Sequence, residues 1–188
     1  MLTLLDRQRK LLEILRGRPA EAEISASNQI GDAAESDPWL AAVGRSPGLR
    51  ILRQTALWWQ RFQIESSCRY TSRLMKRLGC FESYLTAHFA VHPAPPAIEE
   101  LTAQFLTSLA EHENPLLRAV AQFELFCVAP PQAPTRAATI DWDRDPEAVM
   151  VALDRFQPLP EAATGVRYRL QLSSNKPARC VRESLQQT

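Results

Sequence analysis

Apolar residues recur at helical spacing along the first two thirds of the chain, and this pattern stops at Pro130-Pro131. Before these prolines, the starts and ends of helices can be predicted because proline, glycine and capping residues mark them. Pro47 and Pro115 each stand at the first position of a predicted helix, directly after a capping residue. A continuous helical pattern follows Pro47, with a predicted break near Ser66-Ser67. A body of several helices is therefore expected up to residue 131.

Short stretches rich in β-forming residues follow the prolines and are separated by Asp, Pro, Gly, Ser and Asn. In Val166–Leu172 apolar and polar residues alternate, which predicts a strand with one buried face. Ser173–Pro177 predicts the turn of a hairpin. The other predicted strands are Thr139–Trp142, Val149–Phe156 and Arg179–Arg182. The expected fold is α+β, with a helical domain over residues 1–131 and a small antiparallel sheet over residues 132–188.

The glycines and cysteines exclude some functional classes. The six glycines are too scattered to form a phosphate-binding loop, so a nucleotide-binding α/β enzyme is not expected. The four cysteines form no CxxC motif and follow no secretory leader, which predicts buried or free thiols. No apolar run is long enough to span a membrane, and we expect a cytoplasmic protein.

Catalytic and metal-binding constellations are not evident in the sequence. His88 and His92 have metal-ligand spacing, but Pro93 disfavours a continuous helix there and no third ligand follows. Asp141, Asp143, Asp145 and Glu147 alternate like a calcium loop but lack its glycine and its terminal glutamate, which favours a solvated turn. No Ser or Cys lies in a nucleophile motif. We therefore expect no catalytic residue, metal or cofactor in this chain.

The net charge of +1 hides strongly charged segments. Residues 45–79 contain eight basic residues and one acidic residue, while the segments on both sides are acidic. On the predicted helix, three arginines share a face with Leu57 and adjoin a tryptophan pair. Tryptophan beside arginine is typical of interface hot spots, although a solvated face is an equally good explanation. The predicted partner-binding residues are Arg50, Arg53, Trp58, Trp59 and Arg61.

The predicted terminal sheet has at least one unpaired edge, which can accept an extended peptide as an added strand. Arg179 and Arg182 place charge on the final strand, as edge strands often do. A sheet that merely covers the helices is the alternative. The predicted peptide-binding residues lie in the alternating strand and are Arg167, Tyr168, Arg169, Leu170 and Leu172.

Residues 81–125 resemble a known helical family, labelled "putative DNA-binding domain", whose members are encoded beside multinuclear-iron TIM-barrel enzymes. The resemblance rests on Phe81-Glu82, Tyr84-Leu85, His92-Pro93, Leu101, Phe105, Leu109, Pro115-Leu116, Ala121 and Glu124. At Phe105-Leu106 the family usually has Phe-Pro. Within this family, the length, the leucine-rich first helix, Trp58-Trp59 and the terminal sheet are most similar to the partner subunits of methanobactin biosynthesis.

The resemblance implies a non-catalytic subunit in a heterodimer with an iron-containing TIM-barrel enzyme. Such a pair converts cysteines of a short precursor peptide into oxazolone and thioamide groups, using oxygen at the iron of the partner. It also implies that the terminal sheet holds the leader of the precursor as an added strand. Two alternatives stay open: a DNA-binding regulatory module, suggested by the basic segment and the family label, and a partner subunit of a related iron enzyme acting on another peptide.

Overall fold

The computed structural model describes residues 3–16, 38–92, 95, 97–128, 136–162 and 164–184, and within them the fold is α+β as predicted. The helices are α1 Leu4–Arg16, α2 Pro38–Gly44, α3 Pro47–Ser67, α4 Arg69–Arg77, α5 Phe81–Val91, α6 Ile98–Leu109, α7 Pro115–Val128 and α8 Pro146–Asp154. The strands are β1 Ala137–Trp142, β2 Val166–Ser173 and β3 Lys176–Ser184. No helix within these ranges combines the length and the apolar character needed to cross a bilayer.

Side-chain caps and glycine set several helix ends where the sequence places them. The Ser46 hydroxyl accepts a hydrogen bond from the Leu49 amide at 3.2 Å, and the side-chain Oδ1 of Asn114 accepts one from the Leu117 amide at 3.1 Å. Gly79 ends α4 with a φ of +71°, a left-handed conformation that glycine adopts without steric penalty. The predicted break near Ser66-Ser67 is confirmed, because α3 ends at Ser67 and α4 begins at Arg69.

The described residues form two compact units, and the first comprises Met1–Phe62 with Leu85–Ala94. Its described helical parts include α1, α2 and most of α3. Thr3 directly precedes α1, and its hydroxyl exchanges hydrogen bonds with Asp6 in the first turn. Helix α1 packs against α2. The segment 17–37 lies outside the described residues.

The second unit comprises Gln63–Tyr84 with Pro95–Thr188 and contains most of the buried core. Helix α7 packs against α6, α4 and β1, and α4 also packs against α8. The largest fully buried side chains of this unit are Ile64, Leu74, Met75, Phe81, Leu101, Phe105, Leu106, Leu109, Leu117, Trp142 and Leu153. The predicted division at residue 131 does not coincide with the division into units, because α7 packs against β1 and also against α4 and α6.

The sheet is antiparallel with the order β1-β2-β3. The alternation predicted for β2 is present, since Leu170 and Leu172 are buried while Arg167 and Gln171 are exposed. Leu170 lies opposite the buried Ile140 of β1 in the register. The predicted hairpin turn is also confirmed between β2 and β3.

The strand predicted over Val149–Phe156 is wrong, because Pro146–Asp154 forms helix α8. The Asp145 carboxylate caps this helix by accepting hydrogen bonds from the Glu147 and Ala148 amides. Pro146 occupies the first turn, where its missing N–H carries no penalty. The β-branched residues of this segment favoured a strand, but the capping signal immediately before it determines the structure.

Candidate functional site

Strand β3 is the open part of the sheet. It pairs with β2 on one side, and no described strand pairs with its other side. Seven of its nine residues are exposed, and Val181 and Glu183 are half-buried. Because neighbouring side chains of a strand point to opposite faces, this exposure leaves both faces of β3 accessible. The strand β1 at the other edge of the sheet packs against α7.

The five residues predicted to bind a peptide all lie on β2, the middle strand. The main chain of β2 is paired on both sides and cannot accept a further strand. Leu170 and Leu172 are buried in the core, and Tyr168 is half-buried. Arg167 is exposed to solvent. Strand addition therefore requires an edge strand and not β2, and β3 is the edge strand that the sequence indicates as the final, charged strand.

Arg169 joins all three strands through ion pairs. Its Nε donates to Asp141 Oδ1 of β1 at 3.1 Å, and its Nη1 donates to Glu183 Oε1 of β3 at 3.0 Å. The hydrogen bond to Asp141, with the charges of both carboxylates, holds the pKa of Arg169 above its ordinary value. This predicted peptide-binding residue thus has partners within the sheet.

Three of the seven exposed side chains of β3 are basic, and none of the seven is acidic. Lys176, Arg179 and Arg182 are exposed, and Arg182 lies opposite Tyr168 in the register with β2. The register between β2 and β3 shifts near Pro177, and such a bulge with a proline is a common feature of edge strands. The charge of this edge favours an acidic strand as its partner and disfavours pairing with a second β3.

Trp58 and Trp59 form an exposed aromatic cluster with Phe62 on α3. The ring centroids of Phe62 lie 5.8 Å from Trp58 and 5.5 Å from Trp59, in stacked arrangements. Exposed fractions are 59% for Trp58, 50% for Trp59 and 47% for Phe62. From the sequence, if one tryptophan of this adjacent pair points into the core, the other must point away from it. In the structure neither tryptophan is buried.

The other predicted partner-binding residues, Arg50, Arg53 and Arg61, lie within an arc of about 80° around Leu57, because successive residues of a helix are about 100° apart. Arg53 lies on the opposite side of α3 from the cluster, whereas Arg50 and Arg61 lie beside it, about 60–80° from Trp58. The helix therefore places the tryptophans and the arginines on neighbouring arcs and not on one common face. Ile51 and Leu52 extend the aromatic side instead, and their spacing from Trp58 and Trp59 is the sequence signal that identifies them.

Helix α4 uses the remaining basic residues of this segment for internal contacts. Arg73 Nη1 donates to the carbonyls of Leu153 and Asp154, both at 3.1 Å, and Arg77 Nη2 donates to the Ala152 carbonyl at 3.0 Å. Further internal contacts join Arg69 to Asp154, Arg77 to the Gln157 carbonyl, and Lys76 to Glu65. These contacts stabilise the carboxyl end of α8 and reduce the basic charge available for a phosphate backbone.

His88 and His92 lie one turn apart near the end of α5, with ring centroids 4.9 Å apart. His88 is buried and His92 is exposed. Burial, together with the charge of His92, lowers the pKa of His88 to about 4. Within the described ranges, no group of three or more His, Cys, Asp or Glu side chains is placed to hold a metal ion. All four cysteines are free, as predicted.

The buried His88 should make the chain less stable in acid. An imidazole with an ordinary pKa of 6.5 when unfolded and about 4 when folded loses stability as pH falls through this interval. We expect a loss of about 2 kcal/mol in unfolding free energy between pH 7 and pH 4, beyond that of a His88→Phe variant. Urea unfolding at several pH values measures this difference. A His92→Gln variant that shows the same pH slope as His88→Phe would contradict the assignment to His88.

Comparison with known proteins gives no matching family model, no matching curated protein and no matching solved structure.

Proposed function

We propose that the chain is a non-catalytic, cytoplasmic partner subunit that holds an extended peptide on β3 for a TIM-barrel multinuclear-iron enzyme. The resemblance to the MbnC-type subunits of methanobactin biosynthesis suggests the reaction of the complex. The substrate is then the leader-bearing precursor peptide whose cysteines become oxazolone and thioamide groups, and the iron and its oxygen chemistry belong to the partner enzyme.

The open edge of β3 is the observation that carries this proposal. An added strand gains main-chain hydrogen bonds from the edge, and its alternate side chains meet the two accessible faces. Lys176, Arg179 and Arg182 favour a peptide with acidic residues. DNA binding is less well supported, because Arg69, Arg73 and Arg77 of the basic segment donate to α8 and Lys76 pairs with Glu65.

Two N-methylated peptides test strand addition. The probe is a synthetic twelve-residue peptide that alternates valine or threonine with glutamate. One derivative carries N-methyl groups on three odd-numbered residues, and the other carries them on three even-numbered residues. Because the N–H groups of alternate residues point to opposite edges, only one derivative should lose affinity, by about a hundredfold for three bonds of about 1 kcal/mol each. Equal affinity of both derivatives would contradict strand addition.

Charge reversal on β3 tests the role of the basic edge. The double variant Arg179→Glu, Arg182→Glu should weaken binding of the acidic peptide at least about tenfold, and its binding should no longer weaken as salt rises. Arg155→Glu is the matched control, since Arg155 is also exposed but lies outside the sheet. Co-expression with the TIM-barrel multinuclear-iron enzyme of methanobactin biosynthesis should give a one-to-one complex in gel filtration. Separate elution of the two proteins would contradict the role as a partner subunit.

A further inference from the structure

The N-terminal part of the chain exposes most of the large apolar side chains found at the surface of the described residues. Nine of these thirteen exposed side chains lie between Leu4 and Phe62. On α3, no side chain from Arg50 to Gln63 is buried, whereas the flanking Leu49 and Ile64 are buried. In a folded chain, an apolar patch of this kind marks a surface that another molecule covers.

The exposed apolar side chains of α3 form one stripe. At about 100° per residue, they fall within an arc of about 120°, the width typical of a buried helix face. We name this set the α3 stripe, and it consists of Ile51, Leu52, Trp58, Trp59 and Phe62. Three aromatic side chains and two aliphatic ones, each about half exposed, present on the order of 500 Å² of apolar surface. This area suits the centre of an interface that buries about 800 Å² per partner.

Charges beside the stripe distinguish between possible occupants. Arg50 is exposed and flanks the stripe on the side of Trp58, about 80° away from it around the helix. When two copies of a helix pair antiparallel, the same flank of each lies together, so a second copy would bring the arginines of both chains together. A partner helix with acidic residues beside its apolar face would instead pair with them.

We propose that the α3 stripe docks an amphipathic helix of a protein partner whose apolar face is flanked by aspartate or glutamate. The tryptophans supply rigid apolar area at the centre of the contact, as in many interface hot spots. This inference rests on one part of the proposed function, namely that the chain binds a protein partner. It does not depend on the binding of a peptide to β3.

Two synthetic helices test the proposal with the full chain. Both carry the same leucine stripe, but one has glutamate and the other lysine at the flanking positions. We expect the glutamate helix to bind, with a shift of tryptophan emission to shorter wavelength, and the lysine helix to bind at least about tenfold more weakly at low salt. Equal binding of both helices, or binding of neither, would overturn the proposal.

Variants on the two sides of α3 provide the matched comparison. Trp58→Ser with Trp59→Ser, and separately Ile51→Ser with Leu52→Ser, should each weaken binding of the glutamate helix at least about tenfold. Leu57→Ser changes an exposed apolar residue on the opposite side of the same helix and should leave affinity unchanged. A dimer in sedimentation that the tryptophan variant abolishes would identify a second copy as the occupant and overturn the proposal. Retained binding of the acidic β3 peptide by the stripe variants separates this test from that of the proposed function.

Discussion

Replacement of Glu124 by alanine should lower the free energy of unfolding by about 3 kcal/mol, because it leaves buried backbone donors without a partner. Glu124 is buried on α7, and its two carboxylate oxygens accept hydrogen bonds from the Tyr70 and Thr71 amides, both at 2.8 Å. These amides belong to the first turn of α4, where Cys68 at the cap position provides no side-chain bond. Urea unfolding of the variant measures the loss, and a Glu113→Ala variant at an exposed site provides the control.

The Glu124→Gln variant tests the charge of the same group. Burial raises the pKa of Glu124 above its ordinary value of 4.5, although the hydrogen bonds from Thr71 and Tyr70 oppose the shift. The folded state therefore binds a proton more tightly than the unfolded state, and the wild type loses stability as pH rises from 4.5 through the raised pKa. The variant lacks this loss, so its disadvantage should be largest in acid. A disadvantage that grows with pH would contradict the raised pKa.

The local signals of the sequence predict most of the helix ends. Ser46, Asn114 and Gly79 act within a few residues of where they stand, so their effect can be read from the sequence. The alternation of Val166–Leu172 also predicts a strand correctly, because one buried face requires that pattern. The error at Val149–Phe156 arose because β propensity depends on packing, whereas the Asp145-Pro146 cap is a local signal.

Long-range polar contacts could not be predicted in this way. Glu124 caps a helix that begins more than fifty residues earlier, and no spacing in the sequence announces such a pair. The arginines of α4 likewise suggest a partner-binding or phosphate-binding face until α8 is placed beside them. Sequence alone gives the charge of a side chain but not the group that it meets.

The candidate sites were predictable in part. The sequence indicates an open sheet edge but not the order of the strands, and this order puts the predicted peptide-binding residues on the middle strand β2 and leaves β3 at an edge. For the tryptophan pair, the sequence shows which residues share a face of the helix. It does not show whether another element covers that face. The exposure of Ile51, Leu52 and Phe62 supplies that information and defines the α3 stripe.

Replacement of Arg73 by alanine should destabilise the chain by about 2 kcal/mol, because one guanidinium serves several groups at the end of α8. Besides the two carbonyls, its Nη1 lies 3.0 Å from Asp154 Oδ1, and its guanidinium carbon lies 4.5 Å from the centroid of the Phe156 ring. Arg73→Lys should retain about half of this stability, since an ammonium group lacks the planar fork. Thermal unfolding measures both effects. Arg155→Ala, at an exposed site, is the control. If Arg73→Ala loses no more stability than this control, the contacts of Arg73 contribute little.

A variant of Phe156 separates the contact between Arg73 and the Phe156 ring from the other contacts of Arg73. Its φ of 57° is a left-handed conformation that costs a non-glycine residue about 1–2 kcal/mol, and its side chain is 72% exposed. In the wild type, Phe156→Gly relieves this strain but loses the contact with Arg73, worth about 0.5–1 kcal/mol, so the net stabilisation should be small. In the Arg73→Ala background only the relief remains, and Phe156→Gly should stabilise by about 1 kcal/mol more than in the wild type. A double-mutant cycle measures this coupling, and strict additivity of the two substitutions would show that the ring does not interact with the guanidinium.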